Sequence, residues 1–187
     1  DLTQELINII KKPKHGFGAN LNPCIDCRIM MLKKAKEYMD KAGASFIVSG
    51  EVIGQRPMSQ QKHMMELIDK ESGLVGLILR PLSAKLMPVT IPEEKGWVSR
   101  EKLLDVSGRS RTKQVAWAKD HQIKDYPQAG GGCLLTEKES SRRIKDLIKA
   151  GKFTVSESRL IAIGRHFRVS EHAKLVAGRD KQENDLL

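Results

Sequence analysis

Residues 44–49, ASFIVS, and residues 74–79, LVGLIL, decide how this chain is expected to fold. Each is a short apolar run closed by a breaker, Gly50 after the first and Arg80-Pro81 after the second. Unbroken apolar runs of this length suit parallel strands covered on both faces, whereas strands with one wet face alternate. Between them Ser59 stands where a helix N-cap belongs, Met64, Met65 and Ile68 follow at helical spacing, and Gly73 stops the segment. Strand, helix and strand in that order predict a right-handed crossover and an α/β architecture with an open parallel sheet flanked by helices.

Working outward from these runs, residues 1–12 read as a helix end with Leu2, Leu6, Ile9 and Ile10 to one side, and His15 to Gly18 as a loop. Asn22 as N-cap and Pro23 at the first helical position open a helix carrying Ile29, Leu32, Ala35 and Met39, which Gly43 closes. Downstream, Ser99 is expected to cap a short helix stapled by Val98 and Leu103, and residues 112–121 form another. Thr136 to Glu139 has the spacing of a capping box that opens a helix through Ile144, Leu147 and Ile148, ended by Gly151. After it the pattern changes to short β-like runs at 160–163, 167–169 and 174–177. The predicted organisation is an α/β domain over 1–151 followed by the start of a small β-rich domain over 152–187.

A composition of 40% hydrophobic and 30% charged residues is that of a folded globular chain and excludes disorder. No apolar run approaches the ~18–20 residues of a membrane span, and Asp1 is followed by no secretion signal, so the expected compartment is the cytoplasm, with no membrane partner. A start at aspartate also predicts further sequence upstream. The net charge of +10 lowers the free energy of approach to a phosphate backbone, and it equally fits thermal adaptation or general solubility. Aromatic residues at 4% argue against a base-stacking platform of the RRM or OB type.

Three cysteines are too few for a disulfide scaffold, and in a reducing compartment motif-spaced cysteines serve metal binding or catalysis. Cys24 and Cys27 form a C-x-x-C at a helix start, where unpaired N–H groups stabilise a thiolate and Arg28, Lys33 and Lys34 add positive charge. Cys133 lies far downstream, after the glycine-rich residues 129–132. Three thiolates can hold a [4Fe–4S] cluster with one iron open, or His15 can complete a Cys3His zinc site. Cys24 and Cys133 can instead relay a persulfide and close a disulfide between turnovers. The bland alternative is two semi-buried cysteines with no chemistry. Met58, Met64 and Met65 read as core filling, and His63, His121, His166 and His172 are too scattered for a triad.

At Asn22-Pro23-Cys24-Ile25-Asp26-Cys27 the sequence resembles the N-P-C-x-x-C segment of the PP-loop tRNA-thiolation enzymes. Ser49-Gly50-Glu51 stands where these have a turn over the adenylate, Arg80-Pro81-Leu82 looks like their R-P-L, and Gly132-Cys133 matches their late partner cysteine. The stretches GEVIGQRPMSQ, RPLSAK, SGRSRTKQ and AGGGCLLT look closest to a bacterial thiouridylase-like or 4-thiouridine-synthase-like branch, over roughly residues 1–150.

This resemblance implies a HUP-like sheet and an enzyme that uses ATP with Mg to adenylate a uridine carbonyl oxygen in tRNA. A sulfur nucleophile then displaces AMP, the sulfur coming from sulfide or a persulfide carrier. It implies Cys24, Cys27 and Cys133 as the sulfur or cluster centre, and Gly50, Glu51, Gln55 and Arg56 beside the nucleotide. Arg80, Lys85, Arg109 and Arg111 become candidates for phosphate contacts on ATP or tRNA. Two departures stand out: Glu51 replaces the usual histidine, and the phosphate-binding S-G-G-x-D-S is nowhere in the chain. The expectation is therefore a part of a longer protein, lacking the N-terminal strands, that binds ATP poorly alone. Its incomplete sheet would leave an edge that favours homo-oligomers.

Overall fold

In the computed structural model, which describes residues 1–126 and 132–187, twelve helices and strands follow one another. They are α1 (Thr3–Lys11), α2 (Cys24–Ala42), β1 (Ile47–Val48), α3 (Lys62–Ser72), β2 (Ile78–Leu79) and α4 (Ile91–Glu94). After these come α5 (Thr112–Asp120), α6 (Lys138–Lys149), α7 (Val155–Arg159), β3 (Arg165–Arg168), β4 (Lys174–Ala177) and α8 (Lys181–Asn184). Single 3-10 turns occupy Ala84–Leu86, Arg100–Lys102 and Leu134–Thr136. Among the described residues no helix is long and apolar enough to cross a membrane.

The chain divides into two compact units, residues 24–131 and residues 1–23 with 132–187. The division falls before α6, not at the expected 151/152 boundary. The reason is packing: Ile144 and Leu147 of α6 share a core with Ile7 and Ile10 of α1, with Leu21 and Leu135, and with Phe153 and Ile161 downstream. The apolar stripe of α1 is thus Leu6, Ile7 and Ile10: Leu6 and Ile10 are as expected, and Ile7 stands in place of Ile9.

In the unit of residues 24–131, β1 and β2 pair in parallel, Ile47 opposite Ile78 and Val48 opposite Leu79, with α3 between them in sequence. The fold is mixed helix and strand, but each sheet has two strands. The apolar runs are longer than the strands they yield. Leu74 N–H closes the end of α3 on Asp69 O at 2.9 Å, with Gly73 at φ 72°, so the first half of LVGLIL serves as a helix stop and turn. A core of Ile25, Ile29, Leu32, Met39, Ile68, Leu74 and Ile78 fills the space between α2, α3 and the strands. Leu79, Ala84 and Leu103 form a second cluster against which Val98 packs, so the expected staple partners share one cluster although Ser99 begins only a 3-10 turn.

In the other unit β3 and β4 form an antiparallel hairpin, with Arg165 opposite Ala177, where β-like runs were expected. The run at 160–163 is instead the turn after α7. The capping box at Thr136 does not form: its hydroxyl donates to Cys133 O at 2.6 Å inside the 3-10 turn, and α6 starts after Glu137. Asp146 on α6 joins the hairpin, accepting from Arg168 Nε at 3.0 Å and Nη2 at 2.6 Å, with Lys174 Nζ at 3.0 Å. Those bonds, Arg168 first, hold its carboxyl at about 2 against a usual 3.8.

Ile144 is 1% exposed. Ile144→Ala is expected to cost about 3 kcal/mol in urea unfolding, from lost burial plus the cavity left behind. Because the folded pKa of Asp146 is depressed, its contribution is complete above about pH 4 and lost as pH falls toward about 2. Protection of the hairpin amides should therefore drop across that window, and the drop should be smaller in Asp146→Asn. Glu183, held at about 2 mainly by Arg179, titrates alongside in both proteins.

Candidate functional site

The C-x-x-C stands on the first turn of α2, three residues apart, so both thiols leave the helix on neighbouring positions. Both side chains are half-buried, and neither is in a disulfide. The Cys24 thiol donates to Ser59 Oγ at 3.4 Å. A serine hydroxyl rotates freely, so the same group can turn to donate to a thiolate once the proton has left. Ser59 is buried at the end of the loop that runs from Gly50 to Gln60, and does not cap α3, whose N-cap is Gln61. The sequence read it as a cap because serine before a helical run is the usual signal.

Less positive charge surrounds the thiols than expected. Arg28 donates to Glu51 Oε1 at 2.7 Å, Lys34 pairs with Glu37 at 3.1 Å, and Asp26, between the two cysteines, is buried. Asp26 instead gives the α2 N-terminus a carboxylate of favourable sign.

Behind this turn lies a charge chain: Arg28, Glu51, Arg80, Asp69. Glu51 is 2% exposed and takes Arg80 Nε on Oε2 at 3.0 Å, the same oxygen that accepts from Ser49 Oγ at 3.2 Å. Arg80 extends its two terminal nitrogens to Asp69 at 2.8 and 2.6 Å, a bidentate fork. Burial works against the Arg80 charge, and the Asp69 and Glu51 carboxylates more than offset it, holding the guanidinium pKa above its ordinary value. Arg80 and Glu51, named from sequence as phosphate and nucleotide contacts, are therefore committed to one another inside the unit. Asp69 escaped the sequence reading because a carboxylate near a helix end looks like a solvated face.

The other expected residues sit on two segments stitched together. Gly108 N–H donates to Ile53 O at 2.8 Å, Ile53 bridges Ser107, and Ser83 Oγ accepts from Ile53 N–H at 3.1 Å while donating to Val106 O at 2.7 Å. Exposed Gly50 and Arg56 and half-buried Gln55 lie on the first segment, and Arg109 and Arg111 follow the second. Gln55 Nε2 is buried and has no hydrogen-bond partner among the described residues. A buried orphan donor is costly until an acceptor meets it. Lys85 stands apart, its Nζ donating to Glu101 O at 3.0 Å.

Cys133 is exposed and belongs to the other unit, as does His15. Within that unit Leu21 N–H donates to Leu135 O at 3.2 Å and Asn20 Nδ2 to Thr136 O at 2.6 Å. The segment leading to Cys24 is thus held against the turn that follows Cys133. Residues 129–131 of the glycine-rich loop lie outside the described residues. Among the described residues no group of three or more His, Cys, Asp or Glu side chains is gathered to hold a metal ion.

No known family model, curated protein or solved structure matches this chain.

Glu51→Gln should leave Arg28 and Arg80 facing one carboxylate where they now face two. The expected loss is about 3 kcal/mol in urea unfolding, the scale of a broken buried pair. A change below about 0.5 kcal/mol, the usual size for a surface site, would mean that the chain does not carry the fold.

Proposed function

We propose that this chain is the sulfur-handling part of an ATP-dependent tRNA-thiolation enzyme. The observation that carries the reading is the junction of Cys24 with Ser59, on the loop that also holds the orphaned amide of Gln55. A thiol held by one long hydrogen bond keeps its sulfur available to attack a carbon whose oxygen has been activated as a leaving group. The N-P-C-x-x-C resemblance and the net charge of +10 support the same substrate class.

The chemistry is written on the thiols. ATP supplies an adenylate to a uridine carbonyl oxygen, and pyrophosphate leaves. The outer sulfur of a persulfide on Cys24 attacks the carbon, and AMP departs with the oxygen. A second thiolate of the three then attacks the Cys24 sulfur, which frees the thiocarbonyl and leaves a protein disulfide for an external thiol to reduce. In this scheme Ser59 orients Cys24, and Gln55 donates to the nucleotide. Arg56, Arg109 and Arg111 meet phosphates, whereas Arg80 keeps the loop in place from behind. A [4Fe–4S] cluster, were the three cysteines to gather one, would supply the attacking sulfide in place of the persulfide.

Anaerobic purification with iron, sulfide and zinc analysis and mass spectrometry of Cys24 tests the proposal. The expected protein is either brown with iron and sulfide or metal-free with an extra sulfur on Cys24 after exposure to a persulfide donor. Cys24→Ser should lower the sulfur load at least about tenfold. One zinc per chain, with equal loading in the variant, would instead identify a non-catalytic zinc-stabilised RNA-binding module.

A further inference from the structure

Helix α5 buries none of its residues. Val115, Trp117, Ile123 and Tyr126, on the helix and just after it, are 42%, 43%, 43% and 46% exposed. A helix of nine residues has little stability of its own in water, so tertiary contact normally sustains one this short. Here the described residues cover only the side that carries Gln114 and Ala118. Something else must cover the rest.

The charges say what. Residues 109–126 carry Arg109, Arg111, Lys113, Lys119 and Lys124 against Asp120 and Asp125. Lys113 reaches Asp105 at 3.7 Å, both side chains being well exposed, and the other four cations have no carboxylate partner among the described residues. Lys113, Trp117 and His121 follow at intervals of four and so share one helix face. The rings of Trp117 and His121 stack at 4.0 Å between centroids and 25° between planes, with His121 Nδ1 2.9 Å from Trp117 O. On another face a groove of about 380 Å3 is lined by Val115, Lys119, Gln122, Ile123, Lys124 and Tyr126. Exposed flat rings between unpaired cations fit one class of ligand best. Unpaired nucleobases offer π faces for stacking, and their backbone offers one phosphate per step.

We propose that α5 and residues 121–126 form a single-stranded RNA-binding surface, with Trp117 and His121 as the stacking platform and Arg109, Lys113, Lys119 and Lys124 along the phosphates. This deepens the proposed function by naming where the RNA is gripped, and rests on that reading only for RNA being the polyanion. A protein partner would need both an acidic and an apolar face to match, and a second copy of this segment would bring like charges together.

The test uses the full chain with Cys24, Cys27 and Cys133 replaced by serine and no ATP, so that failure of sulfur chemistry cannot affect it. Anisotropy of a fluorescein-labelled oligouridylate, and of a duplex RNA of equal length, reads affinity. Trp117 fluorescence in a Trp97→Phe background reads stacking. The oligouridylate should bind more tightly than the duplex and quench Trp117, and Trp117→Ala should weaken binding about tenfold. Replacing Arg109, Lys113, Lys119 and Lys124 by glutamine should flatten the plot of log affinity against log salt by about 0.7 per cation. Since Arg109, Lys113, Trp117, Lys119 and Lys124 are all exposed, circular dichroism should be unchanged in these variants. Unaltered affinity and salt slope in both variants would overturn the proposal. So would sedimentation that shows self-association abolished by Trp117→Ala with RNA affinity intact, since a second copy would then be the occupant.

Discussion

The unit of residues 24–131 depends on the buried guanidinium of Arg80. Taking a full charge out of water costs several kcal/mol, and that cost is offset only where carboxylates stand in fixed positions around it. Asp69 comes from the last turn but one of α3, Glu51 from just beyond β1, and Arg80 itself from the residue after β2. Arg28 brings in the second turn of α2. Four elements are thus obliged to meet at one point. A parallel pair of two residues per strand makes too few ladder bonds to fix its own register, and the charge chain does that instead. Folding specificity, more than net stability, is what such a network contributes.

That arrangement separates support from chemistry. Glu51 and Arg80 were natural candidates for ligand contacts because turns after parallel strands are where α/β proteins bind nucleotides. Both are internal here. Their rigidity passes to the loop between Gly50 and Gln60 through Ser49, Ile53 and Ser83, and that loop positions Ser59 against Cys24. The residues left facing outward are Gly50, Arg56 and the arginines after Gly108.

Much of the helical framework was legible because helices advertise their ends. Pro23 and Gly43 bracket α2 to within a residue, Gly73 stops α3 at φ 72°, and the spacing of Ile144 and Leu147 gave the buried face of α6. The parallel pairing was legible from two apolar runs. Their length was not, because leucines in a helix stop look the same as leucines in a strand. Gathering of side chains across sequence was beyond the reading as well: nothing near Ser59 marks it as a thiol partner, and a chain of 4% aromatics gave no hint that Trp117 and His121 stack in the open. The expected boundary at 151 failed for a similar reason. Composition changes there, but the core built by α1, α6 and Phe153 does not.

Because the unit of residues 24–131 is inserted between two stretches of the other, the halves of that other core leave the ribosome at different times. At about 5–20 residues per second, Ile7, Ile10 and Leu21 wait roughly ten seconds for Leu135, Ile144 and Phe153 to arrive. Until then the apolar side of α1 lacks its partners and is exposed to chaperones and to other nascent chains. The inserted unit, continuous in sequence, needs no such wait and can finish folding first.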